Sequence, residues 1–450
     1  MSRLRMVLGA LLILAAAAPS VVAGEEDDGS LLRAYYDKGF RFVTRDGSFA
    51  LRLNGLLQGR YTYVDYDPLV RFNDTDYSNF FVRRARLYFS GHAGDPRFTF
   101  FIHVQLEPSQ GINANDLWVE YAISDLLRLG AGRNKISYGL EFMNSGSALG
   151  MVERSLMYGE TDIDLGSVYQ EGPRYPGGGT DRFGLSWYAY TGFATGGMTL
   201  YRSQGVQLRG HRGDAESSTF EYQLGIWQGR STTSLSNGGS GHLVALRLGY
   251  HPWGFVDWRV VGDVGQSTSL KVGLLASAYS NSSETAFDFD EGGYNLAAML
   301  RYRGWSVDVE WGTESYDFAA FDDDFDREGW RVAVGWFVVP KKMELRVRTA
   351  AITRLVSPSF RTASESGLGS VQVWGGEEWV PAIEGEISEI SAALSYRLPG
   401  WRNKVAVDFS RLVRTFTADP DAIFNGEPRS IPKAPDQVDY RFRTMVQLVF

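Results

Sequence analysis

The period of its apolar residues constrains this chain more than any other feature. After one N-terminal apolar run, Met6 to Ala18, the 450-residue sequence contains no further stretch of about 18 apolar residues, the length read as a membrane-crossing helix. Apolar and polar residues instead alternate one by one in segment after segment. In "RFTFFIHVQLE", Phe98, Phe100, Ile102, Val104 and Leu106 share one face, and Thr99, Phe101, His103, Gln105 and Glu107 share the other. "NDLWVEYAI" repeats this with Leu117, Val119, Tyr121 and Ile123 opposite Asp116, Trp118 and Glu120. A period of two is that of a strand with one apolar face. In a membrane such a chain must close into a β-barrel, the only alternative to a helix that satisfies every backbone group in lipid.

The alternation predicts an all-β, antiparallel transmembrane barrel of sixteen strands, from about 49–64 to about 437–450. A hairpin at "GFRFVTRDGSF" would raise the count to eighteen. Tight connections ("GDP", "SD", "RGW", "VPKK", "LPGW") alternate with long polar ones such as "DYDPLVRFNDTDYSN", "SNSSETAFDFDEGG" and "FAAFDDDFDREG". Short turns on one side and long loops on the other belong to an outer-membrane barrel, whereas a soluble β-sandwich does not need that asymmetry. The last strand, "DYRFRTMVQLVF", puts Tyr440, Phe442, Val446, Leu448 and Phe450 on one face and Arg441, Arg443 and Gln447 on the other. Its terminal aromatic resembles the signal by which barrel-assembly machinery recognises its clients, so Phe450 is the expected point of contact.

At the other end, Arg3 and Arg5 precede the apolar run, which closes on small residues at Ala23. This reads as a secretory signal peptide cut after "VVA", the run being shorter than the ~20 residues of a spanning helix. The expected organisation is a signal peptide over 1–23, an N-terminal periplasmic segment over 24–48 and an outer-membrane barrel over 49–450. Loss of Arg3 and Arg5 takes the formal charge from -8 to -10, which gives no basic character pointing to nucleic acid. Cysteine is absent, so no disulfide and no thiolate metal site is available.

In a barrel surrounded by lipid, the polar face of each strand points into the lumen. Parity then assigns Arg52, Asn54, Gln58 and Arg60 of "FALRLNGLLQGRYTY" to the lumen, with Arg84, Arg86 and Tyr88 of "NFFVRRARLYFSG". Phe81 and Phe89 fall on the lipid side; Arg83 has the wrong parity and is expected at the lipid interface, in a subunit contact or past a local bulge. The same sorting turns Arg128, Arg209, Arg247, Lys271, Arg301, Arg303, Arg331, Arg346 and Arg348 inward. Carboxylates concentrate in loops such as "DDDFD", so a negative total is compatible with a positive channel. A narrow low-dielectric channel strengthens the field of its fixed charges and draws in anions. The alternative is a lattice in which these cations pair with the inward Glu107, Glu120, Asp308, Glu310 and Glu344.

The connection from Lys135 to about Arg202 is roughly 65 residues, far beyond an ordinary loop. As the third long loop it is long enough to fold inward and narrow the channel, offering Lys135, Tyr138, Arg154, Ser155, Tyr158 and Arg174. Its segment "FGLSWYAYTGF" reads alternatively as another strand.

These stretches resemble the phosphate-selective porin O/P family of bacterial outer membranes. The likeness rests on "YDKGFRFVTRDGSFALRLNGLLQGRY", "FFVRRARLYFSGHAGDPRFTFFIHVQLE", "LRLGAGRNKISYGLEFMNSG", "VERSLMY" and "YRSQGVQLRG", in family order. Paired arginines match Arg83, Arg84 and Arg86; Gly-x-Gly-x-x-Lys matches Gly130, Gly132 and Lys135; Glu-Arg-Ser matches Glu153, Arg154 and Ser155. The resemblance implies a homotrimer of sixteen-stranded barrels, each with an inward-folded third loop and an arginine ladder leading anions to a constriction.

The expected function is passive diffusion of anions, phosphate or polyphosphate among them, within outer-membrane lipid and lipopolysaccharide. A general or sugar-type porin with mostly paired cations is the alternative. An enzyme needs a nucleophile or activated water with a positioned base. The five histidines form no such motif, His103 alone lying on a strand's polar face. No cofactor is expected, and "DDDFDREG" lacks the alternating ligands and central Gly of a Ca²⁺ loop.

Overall fold

The computed structural model describes residues 31–65, 76–107, 112–158, 198, 200, 202–214, 216–228, 241–283, 289–318, 324–355, 370–374, 379–400, 402–418, 423–424, 427–428, 433 and 435–450. The signal segment, Arg174 and "FGLSWYAYTGF" lie outside the described residues.

Alternating residues form strands throughout. A hairpin of β1 (Leu32–Tyr36) and β2 (Phe40–Thr44) leads into β3 (Phe49–Asp65), β4 (Tyr77–Ala93), β5 (Asp95–Gln105), β6 (Asn113–Ser124) and β7 (Leu127–Lys135). After the third long loop come β8 (Arg202–Arg212), β9 (Thr219–Trp227), β10 (Leu243–His251), β11 (Lys271–Ser283), β12 (Phe289–Tyr302), β13 (Trp305–Phe318), β14 (Asp324–Val339) and β15 (Met343–Leu355). The chain ends with β16 (Ser370–Trp374), β17 (Trp379–Arg397), β18 (Lys404–Thr417), the two-residue β19 (Ile423–Phe424) and β20 (Glu427–Pro428), and β21 (Gln437–Val449).

Sixteen strands, β3 to β15 with β17, β18 and β21, pair antiparallel in chain order, and β21 returns to β3 from Tyr440↔Asp65 to Val449↔Leu56. Closure leaves no open edge in the lipid. Phe450 continues the seam by exchanging backbone hydrogen bonds with Gly55, its N–H donating at 3.1 Å and its carbonyl accepting at 2.7 Å. Just beyond, β2 takes over the edge of β3, from Phe40↔Leu53 to Val43↔Ala50. The N-terminal hairpin therefore extends the wall at one rim and does not widen the barrel to eighteen strands. Both described chain ends lie at the rim of tight turns, which sets it as periplasmic.

The outer face is an apolar belt, exposed at Leu57, Leu129, Leu246, Val334 and Leu448 among others. The inner face is not uniformly polar. Leu243, Ala245 and Tyr279 of β10 and β11 pack under Ile136, Tyr138 and Leu200 of the third loop. Leu275, Ala297 and Met299 pack under Leu140 of that loop and under Val256 and Trp258 of the connection between β10 and β11. That connection, on the periplasmic side, also dips into the barrel, where Trp258 offers its carbonyl to the Asn144 amide. Two insertions from opposite ends thus fill the β9–β12 side of the lumen, and burial by the loops explains why lumen-facing positions there are apolar.

Candidate functional site

The described part of the third loop, 136–158, crosses the lumen and is fastened to the wall all round. A one-turn helix, Leu140–Met143, presents the N–H groups of Leu140 and Glu141 to the Glu310 carboxylate of β13, which also accepts from the Tyr158 hydroxyl and, at 2.7 Å, from Arg331 Nε. Arg348 of β15 donates to the carbonyls of Glu153 and Arg154 at 2.9 and 3.0 Å. Lys404 Nζ donates to the Leu149 carbonyl, and Asp408 accepts from the Val152 N–H at 3.2 Å. At Gly150 a Cβ would collide with the Arg346 side chain, so only glycine lets the loop backbone lie this close to the wall. Glu141 belongs to the loop helix and not to a spanning strand. Burial pushes its carboxyl up, but Arg331, Arg348 and the Ser155 hydrogen bonds outweigh burial and hold it below the ordinary range.

The adjacent arginines of β4 meet this loop through a bulge. Gln58 pairs with Arg84, but the next residue, Gly59, pairs with Val82, leaving Arg83 as the extra residue. Both guanidiniums therefore enter the lumen. Arg83 Nε and Arg60 Nη1 bind Glu153 Oε1 at 2.6 and 2.8 Å, while Arg84 Nη2 binds Oε2 at 2.8 Å. Of the three places considered for Arg83, the bulge is the one found. The bulge also reverses parity beyond it: Phe81 turns inward, under the Arg60 guanidinium at 4.3 Å, while Phe80 and Val82 face outward. Phe81 is thus not on the lipid side, because a strict period of two does not survive an inserted residue.

The remaining predicted positions fall into four groups. Pairing is tight on the filled side: Arg301 with Asp308 at 2.7 Å, and Arg247 with Glu221 at 3.3 Å beneath Trp258, whose ring centroid is 3.8 Å away. Arg331, Arg346 and Arg348 are almost fully covered. Away from the Glu153 cluster and the loop, the cations of β4, β7 and β8 are wetter, with side-chain exposures of 17% for Arg86, 31% for Arg128 and 41% for Arg209, against 1% for Arg84 in that cluster and for Arg348 of β15. Arg86 binds Glu107 at 2.8 Å, and Arg128 and Arg209, cross-strand neighbours, share Glu120 at 3.9 and 2.5 Å. Tyr88 stacks on His103, centroids 4.6 Å apart.

Lys135 stands where β7 enters the loop. Its ammonium donates to the carbonyls of Phe142 and Asn144 at 2.6 and 3.2 Å and lies 4.7 Å from the Phe142 ring centroid. Arg154 donates to the same Asn144 carbonyl at 2.8 Å and approaches the same ring at 5.6 Å. Ser155 is buried, its hydroxyl donating to Glu141 at 2.5 Å. Arg202 pairs in register with Lys135 and binds Asp116 at 3.0 Å. Among the described residues no carboxylate pairs with Lys135.

Three predicted positions lie away from this centre. Arg52 is near the N-terminal hairpin, 3.8 Å from Asp37. Lys271 is at the periplasmic end of β11, 3.3 Å from Glu216. Arg303 is exposed in the turn between β12 and β13, with φ 47° and its guanidinium 5.1 Å from the Tyr302 ring. Parity reasoning passed over Arg202, which lies at a strand end where the chain bends inward, and Arg402 and Lys404 beneath the loop. Their only sequence signal is a basic residue beside a tight turn or loop junction.

A closed sixteen-stranded antiparallel barrel with an apolar belt and an inserted third loop defines an outer-membrane porin, a channel class. A family profile described as phosphate-selective porin O and P matches residues 56–359, and the chain belongs to that family. Among solved structures, an anion-selective porin from Comamonas acidovorans superimposes with a TM-score of 0.53 at 10% identity, over 88% of this chain and 99% of that one. OmpT of Vibrio cholerae in its trimer form gives a TM-score of 0.50 at 9% identity, over 89% and 100%. At these identities the likeness is one of fold. None of the curated proteins compared is significantly similar in sequence.

Proposed function

We propose that this porin passes small anions, phosphate among them, along the β4–β8 side of the barrel, past a constriction formed by Lys135, Arg154, Arg86 and Arg202. The observation that carries this reading is the convergence of Lys135 and Arg154 on one carbonyl and one aromatic ring, with no carboxylate pairing Lys135 among the described residues. Lys135 and Arg154, gathered at the Asn144 carbonyl, offer hydrogen-bond donors to a passing anion, and the half-exposed Arg128 and Arg209, sharing Glu120, supply a second step toward the periplasm. Several sites of similar, modest strength favour conduction over trapping. Family membership and the fold neighbour named as anion-selective support the same direction. The homotrimer, the cleaved leader and recognition of Phe450 during assembly belong to this reading; one fold neighbour is a trimer form.

A second reading, a general diffusion porin with little selectivity, is favoured by the pairing around Glu153, Glu310 and Asp308, which neutralises much of the arginine ladder. Titrating phosphate into a chloride-conducting planar bilayer separates the two. The lead reading expects phosphate to block the chloride current, with the block weakened about tenfold or more in Lys135→Gln. No block in the unaltered protein would refute a phosphate site.

A further inference from the structure

The outer wall carries a groove at the level of the periplasmic leaflet. On β11 and β12 the outward residues Ala276 and Ala298 are diagonal neighbours, and the bulkier Leu274 and Leu296 flank them. Tyr250 and Phe220 close one end and Trp311 the other, around about 520 Å³, within the ~300–1,000 Å³ of pockets that hold small ligands. The row is continuous in register: Ala298↔Leu274, Leu274↔Tyr250, Tyr250↔Phe220, and Phe220↔Arg212. Arg212 ends β8 on the outward parity set by Val206 and Leu208, is exposed, and has no ion-pair partner among the described residues.

In lipid an apolar groove gains nothing from being covered, since acyl chains are as apolar as leucine; packing and polar contacts decide what stays. A cation at the leaflet's edge, in line with an alanine-floored trough, meets both needs of one ligand type. We propose that the groove retains one phospholipid of the periplasmic leaflet, an acyl chain lying over Ala276 and Ala298 and the head-group phosphate accepting hydrogen bonds from Arg212. Basic residues at a membrane surface hold head groups in this way, and guanidinium–phosphate pairing is charge-assisted and directional. A second copy of the chain would cover the alanines without any use for Arg212.

The test is native mass spectrometry of the full-length protein released from nanodiscs of phosphatidylethanolamine and phosphatidylglycerol. One retained phospholipid per protomer is expected, falling at least fivefold in Ala298→Phe, which fills the trough, and at least threefold in Arg212→Gln. Anion preference should not change in either variant. Should Ala298→Phe fail to insert, Arg212→Gln decides alone. Equal retention in Arg212→Gln and the unaltered protein would overturn the proposal, as would loss of oligomeric mass in Ala298→Phe, which would assign the face to a second copy.

Discussion

At the scale of single residues, Glu153 is the pivot of the loop attachment, because this one buried loop carboxylate binds Arg60, Arg83 and Arg84 of β3 and β4. Removing one partner of a buried ionic cluster costs about 3–5 kcal/mol, since the charges left behind have no water to turn to. Glu153→Gln should therefore lower the thermal transition of the folded barrel and bring noisy, enlarged single-channel conductance. An unchanged transition would place the stability of the loop elsewhere. Lys135 both supplies donors to the path and ties β7 to the loop through the Phe142 and Asn144 carbonyls: Lys135→Gln, which keeps a donor there, should insert and fold while losing most of its anion preference. The arginines of β4 also show where sequence reading ends. That they enter the lumen was legible for Arg84 and Arg86 from parity. Arg83 and Phe81 were not, because a bulge inserts a residue without any composition mark, and its position is fixed by Glu153, about 70 residues away in sequence.

At the scale of elements, the third loop is held by carboxylates whose charge is its fastening. Glu141 is depressed below the ordinary carboxylate range by Arg331, Arg348 and Ser155 against the opposing effect of burial. A group depressed in the folded state contributes stability above its unfolded pKa, near 4, and that contribution is lost as pH falls through the lower folded value. Acidification below about pH 4 should thus loosen the loop, seen as earlier proteolysis within 136–158 and larger conductance. Protection that stays constant to pH 3 would contradict the assignment. The strands themselves were legible, since their period of two is enforced by lipid on one side. The apolar inner wall of β10–β12 was not, because its partners are the third loop and the turn holding Trp258, and strand alternation carries no mark of what packs inside the barrel.

At the scale of the whole molecule, closure depends on one seam, β21 against β3, and on the last residue. Phe450 pairs with Gly55, and its ring occupies the space that a Gly55 side chain would need. Deleting Phe450 should slow assembly in vivo and lower the yield of heat-resistant barrel, whereas Gly55→Val should weaken the same seam with the terminus intact. The closed wall encloses a lumen filled on the β9–β12 side by two insertions, and the proposed anion path along β4–β8 follows from that asymmetry. The most direct measurement is the zero-current potential of the purified protein in a planar bilayer under a tenfold KCl gradient. A potential of the sign set by chloride, reduced in Lys135→Gln, is the predicted result; a potential of the sign set by potassium would contradict the account.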